Sequence, residues 1–265
     1  MYNGLWSSEK GYCLYWKAFA PDFKAPSYFL ARGYEDEGNF TAARKLYQES
    51  LLNRYKDWLV YASMGECSLR EGKIEQAVMD FKSALKLEPW AGEAFMGLGV
   101  AYTRQKAFAA AEKMFNKALA VDRFALAPRF NLAVLAQAGN RIPQAARIYR
   151  QILTLDPGNS AAQGALMRIY LAGKDRRQTI AMALEILRRG NDPVNLTMAG
   201  SALSYYQMPQ PAESALRKAI QRGPRFKDAY VEAQKFYVKY HDREHAAAMA
   251  RAIKELGRNG NPGQY

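Results

Sequence analysis

The sequence predicts an all-α fold, a superhelical solenoid of stacked antiparallel helix pairs. Three observations support this prediction: the 265-residue chain matches itself when shifted by 34 residues, apolar residues recur at helical intervals within each period, and glycine and proline recur at set places. Stacked helix pairs contact only their neighbours. We therefore expect one elongated domain rather than two globular ones.

The repeats begin near residues 24, 58, 92, 126, 160, 193 and 227, and the fifth is one residue short. Positions 4, 7, 8 and 11 share one face of a first helix, and positions 20, 24 and 27 share one face of a second. Positions 8 and 20 are mostly small, which lets the two helices approach closely. Position 24 fills the gap with an aromatic ring in Tyr47, Phe81, Phe115 and Tyr149. In the fifth repeat Thr179 and Ala183 replace the small and aromatic pair, which predicts looser packing there.

Glycine and proline mark the ends of the helices. Glycine is predicted to end first helices with a positive φ at Gly38, Gly72, Gly139 and Gly173. Proline has no N–H and clashes with the preceding turn, so Pro89, Pro157 and Pro224 are predicted to stop second helices.

The same frame divides the chain into three parts. Residues 1–23 are predicted to be an N-terminal helix, the remnant or cap of a preceding repeat, and residues 24–256 form the solenoid. Residues 257–265 are predicted to be a flexible tail. An incomplete first repeat exposes a helix face, so two copies of the chain could pair through Tyr12, Tyr15 and Trp16.

Composition excludes several classes of protein. Apolar residues make up 49% of the chain, which is enough for a core and excludes disorder over most of its length. The sequence has no apolar run of about 18 residues and no signal-peptide pattern, so we expect neither a membrane span nor a leader. Two cysteines cannot build a disulfide framework, and Cys67 is interpreted as a small core residue.

The charge of the chain is unevenly distributed. Residues 1–91 are neutral, and residues 92–265 carry the whole net charge of +13. Such a region attracts acidic protein segments, nucleic acid or anionic lipid, although a solvated surface is the simpler interpretation.

The spacing resembles that of the tetratricopeptide repeat family over residues 24–256. The best match is residues 92–125, which carry Phe95, Leu98, Gly99, Tyr102, Ala111, Phe115 and Ala118. The resemblance implies a right-handed superhelical solenoid of antiparallel helix pairs. It also implies a non-enzymatic role in holding a partner protein.

In this family the first helices line a concave face, on which positions 2, 5, 6, 9, 12 and 13 point inward. The resemblance therefore implies a partner-binding surface formed by Tyr28, Phe29, Arg32, Arg70, Met96, Arg104, Phe130, Asn131, Arg168, Met198 and Tyr205. Apolar anchors between arginines suit a peptide or helix with acidic and apolar residues. Asn131 stands where the family often holds a ligand's backbone amide. The family's carboxylate clamp is not predicted, because Met96 and Val100 replace its lysine and asparagine.

No catalytic set emerges from the sequence, and we expect no enzyme, no cofactor and no metal site. His241 and His245 lie four residues apart but lack a third ligand, and residues 35–37 form an acidic turn. Asn39 and Asn195 begin glycosylation acceptor patterns, which matter only in a secreted eukaryotic protein.

Three functions stay open at this point. The first is a protein-binding scaffold in a bacterial assembly, secretion or polysaccharide-export system. The alternative is the soluble repeat domain of a larger membrane protein such as a glycosyltransferase, tethered through a segment like Leu5–Glu9. A basic solenoid that binds nucleic acid is the third and is less favoured, because the inward-facing positions are as apolar as they are basic.

Overall fold

The computed structural model describes residues 25–52 and 57–259, which form fourteen helices and no strand. The predicted all-α helical repeat is confirmed. The helices are α1 (Ala25–Asp36), α2 (Phe40–Leu52), α3 (Trp58–Arg70), α4 (Ile74–Leu87), α5 (Gly92–Arg104), α6 (Phe108–Val121), α7 (Leu126–Ala138), α8 (Ile142–Leu155), α9 (Ser160–Ala172), α10 (Arg176–Arg189), α11 (Pro193–Tyr205), α12 (Pro209–Arg222), α13 (Lys227–Lys239) and α14 (Arg243–Asn259).

Odd-numbered helices are the first helices of the repeats, and even-numbered helices are the second. The missing residue of the fifth repeat falls in a connection: residues 190–192 join α10 to α11, whereas residues 156–159 join α8 to α9. Asp192 caps the shortened connection by accepting a hydrogen bond from the amide of Val194 (2.9 Å).

The sequence predicted a helix at the N-terminal end of the chain and a flexible tail at the C-terminal end. The predicted helix in residues 1–23, with its pairing face, lies outside the described residues. At the other end, α14 continues through Gly257 to Asn259, which are the first three residues of the predicted tail. Gly257 does not take the left-handed backbone that ends a helix, and a glycine inside a helix costs only about 1 kcal/mol.

The contacts divide the chain into two compact units, residues 1–135 and residues 136–265. In the first unit, aromatic rings occupy the space that glycines leave open. The Phe81 ring is buried between Gly65 and Gly97, where an added Cβ would lie 2.7 Å and 2.2 Å from ring atoms. Phe115 packs in the same way on Gly99, at 2.4 Å. The small residues therefore let the helices approach to a distance that the ring alone fills.

A buried polar cluster joins the first two repeats. The Asp80 carboxylate is 5% exposed and accepts hydrogen bonds from Ser68 Oγ (3.1 Å) and Gln76 Nε2 (2.9 Å). It also forms an ion pair with Arg44 Nη2 at 3.5 Å. Because every described contact of this carboxylate is internal, Asp80 fixes the packing of α2, α3 and α4.

The second unit uses different side chains at the same repeat position. Buried Tyr149 donates its hydroxyl hydrogen bond to Gln137 Oε1 (2.7 Å), and Leu216 packs where a Cβ on Gly200 would lie 2.6 Å away. In the fifth repeat Thr179 and Ala183 are fully buried, and Thr179 Oγ1 has no hydrogen-bond partner in the described part of the chain. Here a cleft of about 370 Å³ lies between α8, α9 and α10 and is lined in part by Leu153, Leu166 and Met182.

The turn inside each repeat has one left-handed residue, always at position 15. These residues, with positive φ, are Gly38, Gly72, Lys106, Asn140, Lys174, Gln207 and His241. The prediction is confirmed at Gly38 and Gly72 but is wrong at Gly139 and Gly173, which precede the left-handed residue. The geometry of the turn selects the position, because the amide of Ala107, next to Lys106, bonds to the Tyr102 carbonyl (2.9 Å) and closes the helix end.

Candidate partner-binding surface

The first helices of the first unit enclose a cleft, which we name the first-helix cleft. Its volume is about 520 Å³, and α1, α3 and α5 supply all of its lining except Phe81 of α4. The lining residues are Glu35, Ala62, Ser63, Glu66, Leu69, Arg70, Phe81, Glu93, Met96, Gly97, Val100 and Arg104.

Three of the predicted site residues meet in this cleft: Arg70, Met96 and Arg104. Arg70 is exposed, and its Nε bonds to Glu66 Oε1 one helical turn earlier (2.8 Å). Arg104 donates a hydrogen bond to the backbone carbonyl of Leu69. Both arginines therefore already have partners within the chain.

Three glutamates share the cleft with these arginines. Glu35 comes from α1, Glu66 from α3 and Glu93 from α5. The prediction selected apolar and arginine side chains and omitted these acids. A signal for them was nevertheless present, because they occupy positions 12, 9 and 2 of their repeats, all of which belong to the inward-facing set.

Glu35 connects the cleft with the core. Its Oε2 accepts a hydrogen bond from the hydroxyl of buried Tyr47 (2.9 Å). Burial raises the pKa of the Glu35 carboxyl, the Tyr47 bond opposes this rise, and the negative charge of Glu66 adds to it. Burial, together with the same acids, also raises the pKa of the Cys67 thiol to about 12. A thiol of such high pKa is a poor nucleophile at neutral pH, which agrees with its interpretation as a core residue.

The other predicted residues of the first unit lie outside the cleft. Tyr28 packs on the core with its ring 5.7 Å from that of Tyr47, and Phe29 is 43% exposed. Arg32 is exposed. Phe130 and Asn131, on α7, are half-buried.

Asn131 is oriented mainly by its own helix. Its Nδ2 donates to the Ala127 carbonyl (3.0 Å) and lies 3.9 Å from Met96 Sδ. The predicted role in holding a ligand's backbone amide stays a prediction, and Oδ1 is the atom of this side chain that would accept such a bond.

In the second unit the predicted residues are spread over two first helices. Arg168 is exposed on α9. Burial raises the pKa of the Tyr149 hydroxyl, and the positive charge of Arg168 opposes this rise. Met198 is half-buried on α11, and Tyr205 at the end of that helix is 76% exposed with its ring edge-to-face on Tyr206 (5.0 Å). None of the three lines the cleft between α8, α9 and α10.

The remaining sequence motifs have structural partners. His245 Nδ1 lies 2.8 Å from Asp242 Oδ2, and its ring stacks on Tyr237 (5.0 Å). Asn195 is 3% exposed and donates to the Ser160 carbonyl (2.7 Å), so its glycosylation pattern is inaccessible in the folded chain. Across residues 25–52 and 57–259, no group of three potential metal ligands occurs.

Within the described ranges, no helix is both long enough and apolar enough to cross a membrane.

Comparison with known proteins shows where the fold recurs. A family model, the cilia and flagella-associated protein 70 middle TPR-like domain, matches residues 28–136. Superkiller protein 3 of Schizosaccharomyces pombe is 27% identical over 111 residues, which are 42% of this chain and 8% of that protein. The chain thus spans less than a tenth of the length of this curated relative.

Two solved bacterial structures have the same fold as most of the chain. The C-terminal part of a TPR repeat-containing protein from Cytophaga hutchinsonii has a TM-score of 0.64 at 15% identity, covering 87% of this chain and 95% of that one. The pilF structure from Pseudomonas aeruginosa has a TM-score of 0.58 at 22% identity, covering 77% and 93%. At these identities the likeness establishes the fold.

Proposed function

We propose that the chain is a tetratricopeptide repeat protein and acts as a protein-interaction scaffold that binds a peptide or helix of a partner along its first helices. The first-helix cleft is the observation that supports this proposal. It lies on three successive first helices, measures about 520 Å³, and combines apolar side chains such as Met96 and Val100 with charged ones. An apolar floor with a few charged groups suits an extended or helical segment.

The proposal is for a scaffold without catalysis or a cofactor. Four of the five ionisable groups that line the cleft are held in structural contacts: Glu35 by Tyr47, Arg70 and Glu66 by each other, and Arg104 by the Leu69 carbonyl. Groups in such contacts can orient a bound segment without taking part in chemistry.

For the second unit we keep the predicted partner with acidic and apolar residues. Residues 136–265 contain twice as many Lys and Arg as Asp and Glu residues, and Arg168 is exposed. Arginine can bind a carboxylate through two parallel hydrogen bonds, and Tyr205 of the next repeat offers a largely exposed ring.

The setting of this scaffold stays a prediction. A bacterial assembly, secretion or polysaccharide-export system is proposed as before, although the likenesses come from a yeast as well as from bacteria. The alternatives of a repeat domain within a larger membrane protein, a homodimer, and a nucleic-acid-binding solenoid stay predictions as well.

Site-specific photocrosslinking in cells of the native host tests the proposal. A benzophenone amino acid replaces exposed Arg70 in the cleft, and a matched control carries it at exposed Lys82 on α4. We expect discrete covalent adducts with a partner protein from position 70 and none from position 82. The same adducts from both positions, or adducts from neither, would contradict the proposal.

A further inference from the structure

The first-helix cleft contains an excess of carboxylate groups. Glu35, Glu66 and Glu93 face two arginines, Arg70 and Arg104. Arg70 is paired with Glu66 at 2.8 Å, and Arg104 is bonded to a backbone carbonyl rather than to a carboxylate. Two of the three acids, Glu35 and Glu93, therefore have no ion-pair partner within the described residues.

The position of Arg104 means that its positive charge does little to neutralise these glutamates. Its guanidinium lies at the C-terminal end of α3, where the helix carbonyls carry partial negative charge. The negative charges of Glu66 and Asp36 disfavour the ionised form of the Glu35 carboxyl, whereas the positive charge of Arg32 favours it. The local field at the α1 side of the cleft therefore favours a cation.

The floor of the cleft suits a flexible aliphatic chain. Met96 and Val100 supply apolar surface, and the Phe81 ring, which is only 2% exposed, packs against Gly97. A long basic side chain lays its methylene groups on apolar surface and keeps its charged head near polar groups. An acidic side chain is too short to use such a floor and would be repelled by the three glutamates.

We propose that the first-helix cleft binds its partner through a lysine or arginine side chain, whose stem lies on Met96 and Val100 and whose cation binds Glu35 and Glu66. This inference rests on the proposed function and specifies its partner chemistry. It replaces, for this cleft, the acidic partner that the sequence predicted, because the two arginines that line it, Arg70 and Arg104, are bound within the chain.

A displayed library of random 12-residue peptides tests the proposal on the full chain. Peptides are kept if the wild type retains them and the variant Glu35→Gln/Glu66→Gln does not, which removes peptides that bind the basic second unit. We expect one Lys or Arg position next to apolar residues in the kept set. A synthetic peptide of this set should bind about tenfold more weakly to Glu35→Gln, and Glu75→Gln on α4 should bind it like the wild type.

A second variant keeps the test valid if the double variant does not fold. Ser63 lines the cleft one helical turn from Glu66, and Ser63→Lys places a cation there permanently. We expect Ser63→Lys to abolish binding of the selected peptide. A kept set rich in Asp and Glu, or a selected peptide that binds Ser63→Lys as it binds wild type, would overturn the cation proposal and leave the scaffold proposal standing. A library from which wild type retains no peptide would overturn both.

Discussion

The guanidinium of Arg104 donates a hydrogen bond to the backbone carbonyl of Leu69, 35 residues earlier in the chain. Lys239 makes the equivalent bond to the carbonyl of Ser204 in the second unit, also 35 residues earlier. In both units a basic residue at position 13 meets the end of the first helix of the preceding repeat, where it complements the helix dipole. These side chains therefore join successive repeats.

Removal of the Arg104 bond should weaken the joint between the second and third repeats. We expect Arg104→Met, which keeps an apolar stem, to lower the free energy of unfolding by about 1 kcal/mol, measured by urea denaturation. Arg70→Met is the matched control, because its ion pair with Glu66 is 59% and 40% exposed and should contribute roughly 0–0.5 kcal/mol. Equal losses in the two variants would show that Arg104 is not a joint.

A methyl group at Gly97 should not fit beside the Phe81 ring, since the added Cβ would lie 2.2 Å from it. We expect Gly97→Ala to lower stability by roughly 1–3 kcal/mol in thermal and urea unfolding. Adding Phe81→Leu should recover part of the loss. Gly158→Ala, where the Cβ meets only Asp156 Oδ1 at 3.5 Å, should leave stability unchanged. Simple additivity of Gly97→Ala and Phe81→Leu would contradict this packing.

Phe115 is a central core ring and is fully buried. Phe115→Ala should lower the free energy of unfolding by roughly 3–5 kcal/mol, because it removes the ring and leaves a cavity against Gly99. The control is Phe108→Ala, whose ring is 46% exposed and should contribute far less. A thermal shift near zero for Phe115→Ala would show that the repeat register is wrong.

The left-handed residue of each turn predicts a clear gain of stability for one substitution and little change for the substitution next to it. Lys174 has a φ of 52°, so Lys174→Gly should raise stability by about 1 kcal/mol through relief of backbone strain. Gly173 has a φ of −74°, so Gly173→Ala should be neutral or slightly stabilising. Differential scanning calorimetry measures both, and a loss of stability in Lys174→Gly would refute the assignment.

The stability of the first unit should depend on the ionisation of Glu35. Because the folded pKa is raised, the native chain binds the proton more tightly than the unfolded chain, so this group's contribution to stability falls as pH rises above about 4.5. The groups involved are Tyr47, Glu66, Asp36 and Arg32.

Glu35→Gln isolates this contribution. We expect the variant to lose less stability than wild type between pH 4.5 and 7, measured as the difference between their urea midpoints at each pH. Glu75→Gln is the control and should follow wild type. If the difference between Glu35→Gln and wild type stayed constant over this range, the raised pKa would be wrong.

Periodicity was sufficient to predict the helix pairs, because small and aromatic residues recur with the spacing of two packed helices. The bend of each turn was harder to place. The sequence points to glycine, yet Gly139 and Gly173 precede the left-handed residues Asn140 and Lys174. Hydrogen bonds closing the helix select a position in the turn, and a residue with a side chain can occupy it at a modest cost.

The candidate site was only partly predictable for a different reason. Repeat position predicted that Arg70, Met96 and Arg104 face inward, and the structure brings these three together in the cleft, but their internal partners depend on contacts with the preceding turn or repeat. The inward-facing location of Glu35 could have been predicted from its repeat position alone. Its burial and its bond to Tyr47 require the packed neighbour, which no single repeat shows.

The shared left-handed position also bears on how such a chain could lengthen in evolution. All seven described turns bend at position 15 with residues as different as Gly38, Lys106 and His241. A duplicated segment of one period would therefore carry a complete turn whatever its composition. Each of its ends would also adjoin a repeat of the same kind as before the duplication. Recombination out of phase with the period would move the bend into a helix, so in-frame exchange of whole periods is the event that selection could retain.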